Sequence, residues 1–265
     1  MPDTYSLPQK VALITGSGRE NGIGAAIALA FARNGAWVVI NHVSDSSASR
    51  AQQVAEQARK LGGKAIVVQG SVTSREGARK IVQEAIDGFG VGRIDILVNN
   101  AGGPTISSST KLLDMDPSQI QDDFTLNYMA PVYMIQEVVP FMPSGGRIIN
   151  IGGLVSRMYL PGAPAYGASK AAMDHSTRVF AAELGKEKGI TVNVVAPGGV
   201  LTDALLGLPE ADLNNLQVIS RQLAKAADRM GTIEDIADVV LFVASEKSRW
   251  ITGHVFAAGG GIGDF

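Results

Sequence analysis

The sequence predicts a doubly wound α/β fold, with seven strands in one parallel sheet and helices on both faces. Three observations carry this. Seven short, near-continuously apolar runs recur along the chain, the pattern of strands buried on both faces. Longer stretches of helical period separate them, and parallel neighbours need such crossovers, which are right-handed. A glycine-rich turn lies between the first strand and the first helix, where folds of this kind hold ligands.

Residues 10–15 (KVALIT) form the first strand, and residues 23–34 (IGAAIALAFARN) a helix that Gly35 ends. Residues 37–41 are the second strand, followed by a helix over 47–61 that serines open and Gly62 and Gly63 close. The third strand is 64–69; Ser74 and Gly77 give a partial capping pattern for the helix over 74–89. Residues 94–99 (IDILVN) are the fourth strand, with a long helical region after it through Met142. The strand 147–151 (RIINI), a helix around 165–188, the strand 191–195, a helix over 233–245 and the strand 254–258 complete the order. Residues 201–230 are the least regular, with Pro209 and scattered glycines. They follow the sixth strand at its carboxyl end, so they read as a substrate-covering lid within a single domain spanning 1–265.

Composition narrows the function. At 265 residues, 46% hydrophobic and 18% charged, the chain is too apolar for disorder and can bury a large core. Lysine and arginine (23) nearly balance aspartate and glutamate (25), leaving −2 and no basic stripe, so nucleic acid is not expected as a partner. Cysteine is absent, which excludes thiol catalysis and thiolate-held zinc. His42, His175 and His254 lack metal-ligand spacing, so no metal is expected. No run reaches the ~18–20 apolar residues that span a bilayer, and the first ten residues have no apolar signal core, so a cytoplasmic protein is the expectation.

Three patterns carry chemistry. The turn after the first strand contains Gly16, Ser17, Arg19, Gly22, Ile23 and Gly24; its glycines allow positive φ and let backbone approach a pyrophosphate lying on a helix N-terminus. The second strand ends in Asn41-His42-Val43-Ser44 with no carboxylate before Asp45. A carboxylate there would hold both ribose hydroxyls of NAD and repel a 2′-phosphate, whereas His42, Ser44 and Arg19 can bond one, so NADP(H) is favoured. Tyr166 and Lys170, four apart on a helix, share one face, and the ammonium is expected to draw the phenol toward neutrality as a proton donor beside a hydride acceptor.

With these residues in place, the sequence resembles the short-chain dehydrogenase/reductase family from Lys10 to about Gly261, a Rossmann-type fold. The resemblance rests on the glycine turn, Asn99-Asn100-Ala101-Gly102, Asn127, Tyr166 with Lys170, and Pro197-Gly198-Gly199-Val200 with Thr202. It implies that Asn99, Ala101 and Gly102 line the adenosine and ribose side. Ser71 and Val72 would meet the adenine, Ser71 standing where the family usually has Asp. Lys170 would hold the nicotinamide ribose and tune Tyr166, and Asn127 would hold a water in the proton relay. Pro197, Gly198, Val200 and Thr202 would seat the nicotinamide. A homotetramer or homodimer is implied as well.

Two further departures matter. Five residues, rather than the family's three, separate Gly16 from Gly22, and the longer turn is expected to bulge outward with coenzyme binding intact. The family's substrate-bonding Ser, thirteen residues before the Tyr, is Gly153, with Gly152 before it. Ser156 and Tyr159 are the candidate replacement hydroxyls. The resulting expectation is an NADPH-dependent reductase acting on the carbonyl of a hydrophobic small molecule, with Tyr166 as acid. The alternatives are a repurposed biosynthetic enzyme of specialised metabolism that reduces an imine or iminium or templates a cyclisation, and a non-catalytic NADP-binding regulator. Leu205, Leu206, Leu208, Met158 and Tyr159 suggest an apolar pocket. Met129, Met134 and Met142 read as core filler, and Asp174 and His175 as lying outside the cleft.

Overall fold

The computed structural model describes residues 5–104, 112–158 and 162–262. Its centre is a seven-stranded, all-parallel sheet in the order β3-β2-β1-β4-β5-β6-β7. The strands are β1 (Val11–Ile14), β2 (Trp37–His42), β3 (Lys64–Gln69), β4 (Ile96–Asn99), β5 (Arg147–Ile151), β6 (Thr191–Pro197) and β7 (Val255–Ala258). The order reverses between β1 and β4, which opens the crevice at the strand tips where ligands bind in such sheets.

Alternation along each strand divides the core in two. Ala12, Ile14, Val38, Ile40, Val98 and Ile149 face α1 (Ile23–Arg33), α2 (Ala48–Lys60) and α9 (Ile233–Ala244). Val11, Leu13, Val39, Leu97, Ile148 and Val192 face α3 (Arg75–Phe89), α5 (Ala130–Val138) and α6 (Pro164–Lys188). Successive side chains point to opposite faces of a strand, so an unbroken apolar run is what a sheet covered on both sides requires.

The partial capping pattern at Ser74 is a formed cap, its hydroxyl accepting the Gly77 N–H at 3.1 Å. The long helical region before Met142 is broken. Within the described residues it contains α4 (Pro117–Phe124), capped by Asp116 and Gln119, then a π turn over Thr125–Met129, then α5. The π turn sends Met129 to the surface (37% exposed), whereas Met134 and Met142 are core residues as expected. Residues 201–230, expected to be irregular, hold two helices, α7 (Asp203–Leu206) and α8 (Glu210–Leu223). Pro209 sits at the N-cap of α8, where it starts a helix rather than interrupting one.

Candidate active site

The turn from Thr15 to Gly24 is fixed by close approach. Gly16 adopts φ +63°, and a Cβ there would lie 3.0 Å from the Ala101 Cα; one on Gly24 would lie 2.9 Å from the Ser17 Cα. Two amides hold the turn from opposite sides. Asn100 Nδ2 donates to the carbonyls of Thr15 (2.8 Å) and Gly16 (3.1 Å), and Asn41 Oδ1 accepts the Gly16 N–H at 3.0 Å. Sequence reasoning missed both amides as supports; the available signal was a polar residue at or just past the end of an apolar strand. Gly22 caps α1 without a side-chain bond, so the first N–H groups of the helix, from Ile23 and Gly24, meet no side-chain acceptor at the cap.

The other sequence-predicted coenzyme residues divide by whether their polar atoms are free. Ser17 is buried, its hydroxyl donating to the Ile14 carbonyl at 2.8 Å and its N–H to the Asn41 carbonyl at 2.9 Å. Ser71 bonds Thr73 at 2.8 Å, and Val72 is a core residue. His42 and Ser44 come together at the tip of β2: His42 is buried, with Nδ1 3.1 Å from the Ser44 carbonyl, while Ser44 and Arg19 are exposed. Asn99 Nδ2 donates to Asn150 Oδ1 at 2.8 Å, and Asn99 Oδ1 is a buried acceptor without a partner among the described residues.

The longer turn does not bulge free. Glu20 accepts from Arg50 Nε at 3.3 Å, Arg50 also pairs with Asp203, and the Asp203 N–H donates to the Asn21 carbonyl at 3.0 Å. The two extra residues are thereby tied to α2 and to α7. One guanidinium thus serves two carboxylates through separate nitrogens, Nε to Glu20 and Nη2 to Asp203, and so fixes where the extra residues lie.

At the other end of the crevice, α6 presents Tyr166, Lys170 and Asp174 four residues apart on one face. Lys170 is buried, donates to the Ile151 carbonyl at 2.9 Å and stands 5.8 Å from the Tyr166 ring centre. Burial pulls its ammonium down to about 8, with Asp174 opposing that shift. The phenol of Tyr166 goes opposite to expectation. Burial pushes it up to about 12, and the nearby Asp123 adds to the shift. Loss of hydration dominates, and the Lys170 ammonium does not lower the phenol.

Asn127, on the π turn, is buried; its Oδ1 accepts the Gly103 N–H and its Nδ2 donates to the carbonyls of Gly103 and Asp123, all at 2.9 Å. It thereby clamps the segment after β4. A Cβ on Gly102 would lie 2.9 Å from Asn127 Oδ1 and 3.1 Å from Lys170 Nζ, so the structure brings these groups together. Asp174 belongs here too, contrary to expectation. It is 6% exposed, accepts from the Ser156 hydroxyl at 2.7 Å, and leaves Oδ1 unpartnered among the described residues. Burial raises its carboxyl, against the Ser156 bond and the charges of Arg157, Lys170 and Arg178. The signal for Asp174 was the repeat of four that starts at Tyr166.

Ser156, a candidate hydroxyl for the substrate, is thus committed to Asp174, and Tyr159 lies outside the described residues. Gly153 stands opposite the phenol, where a built Cβ would be 3.7 Å from the Tyr166 oxygen. Pro197, the last residue of β6, pairs with Ala258; beyond the strand, Gly198 packs against Gly259 and Val200 bridges to Gly231. The Thr202 hydroxyl caps α7. Leu205 and Leu208 are half-buried, whereas Leu206 is exposed and Met158 packs on Leu154 and its neighbours. Among the described residues no group of His, Asp or Glu side chains is arranged to hold a metal, and no helix is long and apolar enough to cross a membrane.

Comparison with known proteins agrees with this geometry. Residues 16–263 match the family described as enoyl-(acyl carrier protein) reductase. The short-chain dehydrogenase/reductase FrzI of Cladobotryum sp is 40% identical over 259 residues, 97% of each chain. A hydroxynaphthalene reductase of Aspergillus fumigatus is 36% identical over 95% of this chain and 91% of that one. Among solved structures, the angucycline C-6 ketoreductase LanV with bound NADP superposes with a TM-score of 0.86 at 34% identity, covering 97% and 96% of the two chains.

Proposed function

The chain belongs to the short-chain dehydrogenase/reductase family, and from that membership we propose that it is an NADPH-dependent reductase of a hydrophobic carbonyl compound, with Tyr166 as the acid. The observation that carries the reading is geometric: at the strand tips the Tyr166 hydroxyl faces Gly153, with Lys170 Nζ 5.8 Å from its ring centre and Asn127 and Lys170 meeting at Gly102. A phenol so placed beside an ammonium is in position to give a proton to a carbonyl oxygen.

The residues fit a dinucleotide. A Cβ on Gly16, Gly24 or Gly102 would collide with neighbouring protein atoms, so the turn and the segment after β4 pack closely beside the N-terminus of α1, whose cap carries no side-chain bond. His42, Ser44 and Arg19 would meet a 2′-phosphate at the tip of β2, with no carboxylate before Asp45 to repel it. Pro197, Gly198, Val200 and Thr202 would border the nicotinamide, and Lys170 its ribose. When bound, the reduced coenzyme supplies a hydride to the carbonyl carbon. Tyr166 donates its proton to the oxygen, where the former C=O π pair forms the O–H bond. The Lys170 ammonium stabilises the phenolate left behind, and Asn127 holds the segment that borders both groups. Half-buried Leu205 and Leu208 support an apolar substrate.

Loss of NADPH absorbance with a panel of aryl ketones tests the assignment. Tyr166→Phe is expected to reduce the rate by about 10²–10⁴-fold while NADPH binding persists. Unchanged ketone reduction in that variant would remove Tyr166 as the acid.

A further inference from the structure

Resting on the carbonyl-reductase reading, we propose that this site selects ketones that carry their own hydrogen-bond donor, a hydroxyl placed to bond the same carbonyl oxygen that Tyr166 protonates. The argument starts from Gly153. Its backbone is extended (φ −178°, ψ 142°), a conformation open to every residue type. Among the described residues, a Cβ added there would meet only the Val155 Cγ1 at 3.4 Å and the Tyr166 oxygen at 3.7 Å, both ordinary contacts. The fold therefore does not require glycine at this position. Gly152 differs: a Cβ there would come within 2.6 Å of the Val194 Cγ1 and 3.3 Å of Asp174 Oδ1. The space at 153 is open toward the phenol.

The other polar groups around that space are engaged elsewhere. The Ser156 hydroxyl donates to Asp174 at 2.7 Å, Lys170 to the Ile151 carbonyl at 2.9 Å, and the Asn127 amide to Gly103 and Asp123. Among the described residues, the Tyr166 hydroxyl is the one polar side-chain group within 4 Å of a Cβ built at 153. A second donor to a developing oxyanion is worth about 10²–10³ in rate. A hydroxyl ortho to an aryl ketone supplies one within the substrate, already oriented, without an intermolecular ordering cost. Glycine at 153 leaves the place of a side chain beside the phenol to that hydroxyl. Gly153 is then a specificity-determining residue, because it discriminates against ketones that depend on the protein for both donors.

The test compares ortho-hydroxyacetophenone, its methyl ether and acetophenone with NADPH-loaded wild-type protein, Gly153→Ser and Gly153→Ala. Rates are normalised to borohydride reduction of the same ketones, and coenzyme loading is followed by NADPH fluorescence. The wild type is expected to favour the hydroxy ketone over both others by about 100-fold in kcat/KM. Gly153→Ser should bring the three within about tenfold by accelerating the two that lack a donor, whereas Gly153→Ala should leave the preference in place. Equal normalised rates for all three ketones in the wild type would overturn the inference and leave the reductase reading standing. NADPH binding with no ketone reduced, above all with a cyclic iminium reduced instead, would overturn both. Should the serine variant fail to fold, the wild-type comparison decides alone.

Discussion

Tyr166 and Lys170 lie four positions apart, and that spacing places both at one cleft, yet the ammonium does not set the phenol's proton affinity. Burial acts on both groups and disfavours the charged form of each, so the phenol rises to about 12 and the ammonium falls to about 8. Proximity was legible in the sequence; desolvation was not, because it depends on what the rest of the chain packs around the pair. Ser156 makes the same point. On sequence it was a candidate substrate donor, but its hydroxyl is taken by Asp174, eight residues beyond Tyr166. Ser156→Ala would leave that buried carboxylate short of a donor, so urea denaturation should show a loss of about 1–3 kcal/mol while ketone reduction persists. A hundredfold fall in rate with stability intact would instead return Ser156 to the list of substrate contacts.

At the scale of elements, the glycine turn is joined to α2 and α7. Arg50 on α2 joins Glu20 of the turn to Asp203 of α7, and the Asp203 N–H returns to Asn21. The pairs are partly exposed (39% for Arg50), so solvent screening keeps their contribution to global stability within about 1 kcal/mol. Their consequence is local: they link the glycine turn to α7, the first helix after β6. Arg50→Ala should therefore change the denaturation midpoint little but speed NADPH release in stopped-flow displacement. Unaltered release would show that turn and lid move independently. The sequence revealed the two-residue extension of the turn but not its partners, since Arg50 and Asp203 are 153 positions apart. The π turn was equally hidden, because its one-residue shift leaves a helical pattern of apolar residues almost unchanged.

Across the whole molecule, a crevice assembled from the tips of β1, β2, β4, β5 and β6 should respond to coenzyme as one body. A ligand held at 100 times its dissociation constant adds about 2.7 kcal/mol to a fold that binds it only when native. With His42, Ser44 and Arg19 at the tip of β2, NADPH should raise the melting temperature more than NADH at equal concentration. A larger shift with NADH would reverse the assignment of the 2′-phosphate site. The sequence by itself determined the parallel sheet, its seven strands, the glycine turn and the pairing of phenol with ammonium, because each is written in local periodicity or fixed spacing. Only the tertiary structure decided that burial dominates the phenol's proton affinity, that Ser156 serves Asp174, that the long turn is tied to α2 and α7 and that position 153 faces the phenol. Those outcomes depend on burial and on contacts between residues far apart in the chain, and no local pattern encodes either.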